Sequence, residues 1–253
     1  SGFACCVSLF LLLSCAGGKT RSGGSGLVRT FTYGTTLTGS GSPGIAFSFT
    51  LLDFDSSWPL KALAEEALYN GDDPETYADK TAGAFAAQFQ GKASQREGEA
   101  DEAGANWEYL EGFSVKDRNP EYLSIQRERY YYTGGAHGSG GIRHFVFDIR
   151  EGKRLVLEDI IQEEKKDALT VLVNEALRAA HGLDPSSSLT QAGFFNDDAV
   201  LSGDFYLRGG MLIFQWDAYD IAPYAMGSVE AELPGKALRG LLTPEGGRLL
   251  AVR

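Results

Sequence analysis

Apolar and polar positions alternate along "LVRTFTYGTTLTG" (27–39) and again along "GIAFSFTLLDF" (44–54). Val28, Thr30 and Thr32 fall on one face of the first, and Phe47, Phe49 and Leu51 on one face of the second. With "GSGSPG" between them as a loop, the pair reads as two antiparallel strands. In "SSWPLKALAEEALYNG" the period changes, and Leu60, Leu63, Ala64, Ala67 and Leu68 keep helical spacing behind a serine N-cap candidate. A second helix starts near Asp73-Pro74, with Tyr77, Thr81, Phe85 and Phe89 along one stripe that reads as core. The polar stretch "KASQREGEADEAGA" then reads as a loop or a frayed helix end.

Two strands follow, "NWEYLEGFSVKDR" and "EYLSIQRERYYYTGG", turning at Asn119-Pro120. In the second, Leu123, Ile125, Arg127 and Arg129 share one face. "RHFVFDIREGKRLVLEDII" reads as a hairpin through a Glu151-Gly152 turn, and the pattern then predicts one helix from about Glu158 to His181. Its buried stripe is Leu169, Leu172, Val173, Ala176 and Leu177, and Gly182 suits the position just past its end. A hairpin across Gly209-Gly210, a strand in "GSVEAELPG" and a short closing helix in "KALRGLL" complete the chain. Strands grouped with strands and interrupted by helices predict an α+β fold with largely antiparallel sheets. A boundary near 91–105 divides a smaller N-terminal α+β domain, 27–104, from a larger C-terminal one, 105–253.

The amino terminus changes the picture. Cys5, Cys6 and Cys15 are the only cysteines, and "FACCVSLFLLLSC" is apolar, uncharged and too short to span a bilayer of the usual ~20 residues. It has the length of a signal-peptide core and ends in Leu12-Leu13-Ser14-Cys15-Ala16-Gly17, which resembles a bacterial lipobox. Residues 1–14 are therefore expected to be removed. Acyl chains on Cys15 would anchor the protein in the cell envelope, periplasmic or at the cell surface, and 15–26, with "GGKTRSGGSG", would be a flexible tether.

The net charge of −11 argues against nucleic acid as a partner, because phosphate binding wants clustered lysine and arginine. Catalytic motifs are thin. The only histidines are His137, His144 and His181, without an H-E-x-x-H or a Cys/His cluster, so neither metal nor cofactor is expected. There is no nucleophile elbow and no phosphate-binding loop. Asp148, Asp217 and Asp220 are the candidate acids for carbohydrate chemistry. In "WDAYDIAPYAMG" two of them stand beside Tyr219 and Tyr224, as sugar binding would require. "YYYTGGAHGSGG" (130–141) sets His137 and Tyr132 in a glycine-rich loop, where a structural or ligand-contact role is favoured over catalysis.

Three segments, "YYYTGGAHGSGG", "FDIREGKRLVLEDII" and "FQWDAYDIAPYAMGSVEAELP", resemble in order and spacing an envelope domain of unknown function. It is the extracellular domain of the lysozyme-sensing anti-sigma-V factor, also found beside peptidoglycan deacetylase domains. The resemblance implies an α+β ectodomain that binds something at the cell wall, a lysozyme-like basic protein or peptidoglycan; Tyr132, His137, Asp217, Tyr219, Asp220 and Tyr224 are the candidate contacts. It implies no enzymatic activity. The rival readings are a glycan-acting hydrolase and a scaffold lipoprotein.

Overall fold

A computed structural model of the chain describes residues 18–22, 28–37, 44–95 and 106–251. The strand-strand-helix-helix start is as the periodicity demands: β1 (Lys19–Ser22), β2 (Val28–Leu37), β3 (Ile45–Phe54), α1 (Lys61–Tyr69) and α2 (Pro74–Gln95). β4 (Trp107–Arg118), β5 (Tyr122–Tyr132), β6 (Ser139–Asp148) and the two-residue β7 (Lys153–Arg154) follow. Then come α3 (Leu157–Ile160), α4 (Lys166–Ala180), β8 (Asp204–Arg208), β9 (Met211–Trp216), β10 (Val229–Pro234) and α5 (Pro244–Leu249). β1 to β7 form one sheet in chain order, and β10-β9-β8 form a second, antiparallel throughout. The fold is α+β.

Four local expectations are corrected. Lys19–Ser22, inside the expected tether, pair antiparallel with β2 from Lys19 opposite Tyr33 to Ser22 opposite Thr30. The single helix expected over 158–181 is broken, because Ile161 is extended (φ −113°, ψ 133°) and bridges Leu242. Gln162 N–H donates to the Leu241 carbonyl at 2.9 Å and its side-chain amide to Leu242 at 2.7 Å, which replace the helical bonds there. The closing segment is a 3-10 turn, Gly235–Leu238, followed by α5, which Thr243 caps through Gly246 N–H. Nor does the serine expected before α1 cap it: Leu60 occupies that position and offers no side-chain bond.

The chain divides into two compact units, each built from three separate stretches. The first comprises the described residues of Ser1–Asp53, Asp72–Glu111 and Tyr130–Gly140. Its core is aromatic: Phe47, Phe49, Phe85 and Tyr109 lie 5.2–6.5 Å apart, ring to ring, in tilted, stacked and edge contacts. Buried Glu111 accepts from the hydroxyls of Tyr77 and Tyr109 at 3.0 Å, so its charge is hydrogen-bonded rather than stranded.

The second unit comprises Phe54–Gly71, Gly112–Arg129 and Gly141–Arg253. α4 packs on β10 with Leu169, Val173 and Leu177 fully buried and Leu172 and Ala176 partly so, the stripe its spacing requires. Its end is marked by Gly182 at φ +66°. β5 starts with four successive buried residues, Tyr122 to Ile125, because both of its faces are covered there. The Tyr122 hydroxyl donates to Asp117 at 2.6 Å, and the Gly209 N–H of the β8–β9 turn donates to the same carboxylate at 2.7 Å. Burial and that carboxylate push the Tyr122 phenol far above its ordinary range, so it stays a donor at any working pH.

Candidate functional site

The glycine-rich loop of the first unit is a packed hairpin end. Gly134 and Gly135 take φ +97° and +94°, and the Tyr132 hydroxyl donates to the Gly135 carbonyl at 2.9 Å. Gly138 is buried under the Tyr130 ring, which occupies the space a Cβ would need. His137 is exposed, and its Nδ1 donates to the Gly138 carbonyl at 2.9 Å. Tyr132 and His137 thus belong to the first unit, and the other four sequence candidates belong to the second. Cys15 lies outside the described residues.

In the second unit, β9 ends at Trp216 and the chain turns at once. Asp220 N–H donates to the Asp217 carbonyl at 3.1 Å, and the Asp220 carboxylate takes the Asp217 N–H at 2.9 Å. The Asp217 carboxylate is itself committed: Oδ1 accepts from Ile142 N–H at 2.8 Å and Oδ2 from Arg143 Nη1 at 2.9 Å. Both acids therefore work as fasteners of this turn. Gly141 makes the approach possible, since a Cβ there would come within 2.5 Å of Asp217 Oδ2. Gly141→Ala is expected to displace that carboxylate and lower stability by about 1–3 kcal/mol, read from the urea midpoint. An unchanged midpoint would mean that Asp217 swings aside without cost.

Fastened in this way, the turn presents two tyrosines. Tyr219 has φ +74°, a left-handed conformation that bulky residues seldom adopt, and its N–H donates to the Ala222 carbonyl at 3.1 Å. Tyr224 begins a 3-10 turn, Tyr224–Met226. The two rings are 5.5 Å apart and tilted by 32°, and the residues are 58% and 50% exposed. Strain that holds a large aromatic in water is not explained by stability, which makes this pair a candidate contact surface.

Below the turn lies a cavity of about 880 Å³, every lining residue of which belongs to the second unit. Asp220 reaches its wall, together with Arg127, Arg143, His144, Phe145, Arg154 and Asp204. The His144 ring is fully buried, stacked on Tyr206 at 4.3 Å, and its Nδ1 donates to Asp204 Oδ2 at 2.8 Å. Asp204 Oδ1 also takes the His144 backbone N–H at 2.7 Å. His144 Nε2 has no hydrogen-bond partner among the described residues. Of these side chains sequence reasoning weighed Asp220 and His144 and passed over the rest. The signal available was Arg127 continuing the apolar face of Leu123 and Ile125, a charge where the pattern calls for a hydrophobe.

Asp148, the third candidate acid, is no cleft residue. It is fully buried, takes the N–H groups of Arg150 and Glu151 at 2.8 and 2.9 Å, and pairs with Arg248. Its place is the β6–β7 turn, where it holds backbone N–H groups and an arginine. Among the described residues no three His, Cys, Asp or Glu side chains come together as a metal site.

Comparison with known proteins agrees with this architecture. Residues 158–236 match the family model described as a protein of unknown function (DUF3298), and residues 61–140 match the one described as deacetylase PdaC. Both matches bear out the resemblance to an envelope domain found beside deacetylases. No curated protein matches the chain. Among crystal structures, a DUF3298 family member from Bacteroides fragilis superposes with a TM-score of 0.74 at 18% identity, over 95% of this chain and 99% of that one. A DUF3298 family protein from Pseudomonas aeruginosa gives 0.59 at 21% identity, over 91% and 95%. The likeness is one of fold. The DUF3298 match contains Asp204, Asp217, Tyr219, Asp220 and Tyr224, whereas Tyr132 and His137 fall in the PdaC match.

Proposed function

We propose that this chain is an envelope lipoprotein, anchored through acyl groups on Cys15, whose folded part binds peptidoglycan without turning it over. The observation that carries the reading is the Tyr219–Tyr224 pair, held out at a strained turn over a cleft lined with arginines. Exposed aromatic faces stack on sugar rings, and arginines suit the carboxylates that wall peptides carry. Commitment of Asp217 and Asp220 to Ile142, Arg143 and each other speaks for a binder over a hydrolase, which needs acids held ready for substrate. The match to a deacetylase-associated segment fits the same location.

The test is co-sedimentation of the protein with purified peptidoglycan sacculi. Wild type is expected to pellet with them. Tyr219→Gly combined with Tyr224→Ala is expected to bind about tenfold more weakly. Tyr219→Gly alone should leave the melting temperature unchanged or raised, since glycine relieves the left-handed strain. Failure of wild type to sediment would overturn the proposal. A second reading rests on the net charge of −11, which favours a strongly basic protein partner of the lysozyme type. Calorimetric titration with a c-type lysozyme at two salt concentrations tests it, and strong salt-dependent binding is its expected mark.

A further inference from the structure

The wall of the 880 Å³ cavity carries four cationic side chains against three acids, a positive surplus in a chain whose net charge is −11. Most of the charges are matched. Arg143 is paired with Asp217, Lys166 with Glu158 and Glu163, and Asp204 with His144. Arg154 is different. Its guanidinium lies 4.7 Å from the centroid of the Phe145 ring, and among the described residues it has neither a hydrogen bond nor an ion pair. The Arg127 guanidinium stands over the same ring at 5.8 Å. Arg154 is exposed to solvent, and partial desolvation by its neighbours lowers its guanidinium below the ordinary range; the Asp204 carboxylate works against that, and the Arg127 charge adds to it. Two guanidiniums share one ring, and the exposed Arg154 keeps its donors open to a ligand.

We infer that this cavity is a carboxylate-binding site, in which Arg154, positioned by Phe145 and seconded by Arg127, receives the carboxylate of a ligand with an apolar body. The class of ligand follows from the lining. A planar guanidinium matches a carboxylate with two parallel bonds. A single guanidinium without an ion-pair partner suits a monoanion better than a doubly charged phosphate. A cavity of about 880 Å³ is far larger than a bare ion needs, and Leu155, Leu157 and Leu201 give it apolar wall for the rest of the molecule. The free acid and the peptide stem of the wall share this chemistry. The inference deepens the peptidoglycan-binding reading by naming the charged group recognised.

Calorimetry with four probes tests it: acetyl-D-alanyl-D-alanine, its C-terminal amide, inorganic phosphate and soluble muropeptides. The acid is expected to bind and the amide to lose about tenfold or more, with Arg154→Gln losing the same factor on the acid and nothing on the amide. Arg154→Lys should recover part of the loss, because it restores charge without the planar fork. Melting temperatures of both variants at or above wild type exclude misfolding as the cause. Muropeptides that bind through Arg154 identify the wall as the source, and binding by the dipeptide acid alone identifies a free acid. Equal affinity for acid and amide, stronger binding of phosphate, or indifference to Arg154→Gln would overturn the inference. Sacculi that still pellet the protein in that event would leave the wall-binding reading standing.

Discussion

Asp148→Ala is expected to be the most damaging single change in the second unit, at about 3–5 kcal/mol, the usual cost of removing one partner from a buried ion pair. The carboxylate has no exposure, and its loss strands the Arg150 and Glu151 N–H groups together with one arm of Arg248. Arg248 also holds Glu121, so the turn between β6 and β7 and the start of β5 are bound to the last helix through one guanidinium. Asp148→Asn keeps the acceptor for the backbone and loses only the charge, and should cost about half as much. Burial by itself would raise the Asp148 carboxyl; the Glu151 N–H and Arg248, with Glu245, outweigh it and hold the group below the ordinary carboxylate range. A lowered folded-state value means stability that is complete above the unfolded pKa of ~3.9 and is lost as pH falls from there through the folded value. The advantage of wild type over Asp148→Asn should therefore be constant near neutrality and shrink below about pH 4. Urea midpoints across pH measure both effects, and a neutral-pH loss under ~1 kcal/mol for the alanine variant would refute the role assigned here.

Gly246→Ala should be nearly as severe, though nothing polar is lost. A Cβ at this position would overlap the Ile160 carbonyl and stand 2.9 Å from the Ile160 carbonyl carbon. The obstacle is main chain, which cannot swing away as a side-chain tip can. Ile160 is itself pinned, its carbonyl accepting the Thr243 N–H at 2.9 Å. About 3 kcal/mol of destabilisation is expected, at the upper end of the ordinary cost of overpacking. Gly240→Ala is the control, since nothing lies within 4 Å of a Cβ there. Its urea midpoint should match wild type; equal damage from both variants would assign the effect to glycine content rather than to the close approach of α5 to α3.

Much of this fold was legible because its periods are clean. The alternation of Phe47, Phe49 and Leu51 gave β3, the two glycines at 209 and 210 gave the β8–β9 turn with φ +57° and +77°, and the 3.6-residue stripe gave α4. What failed did so where distant partners overrode local preference. Ile160 and Ile161 look like a helix start until Leu241, Leu242 and Thr243 come from the far end of the chain to take their backbone groups. Nor does any local signal say that 54–71 and 112–129 group with 141–253. At the site, "WDAYDIAPYAMG" drew attention to the right turn, but the roles of its acids came from Ile142 and Arg143, about 75 residues away. Arg154 gave no warning at all: in sequence it is one more basic residue after a hairpin turn.

The interleaving of the two units has a consequence for the order of events in synthesis. Neither can close as its first half leaves the ribosome: the first unit waits for Tyr130–Gly140, and the second waits for a helix six residues long that begins at Pro244. Contacts so distant along the chain make closure slow and late. A nascent polypeptide of this design has the parts of its first unit only once Gly140 is made and those of its second only once α5 is made, and until then its exposed apolar surface is open to aggregation.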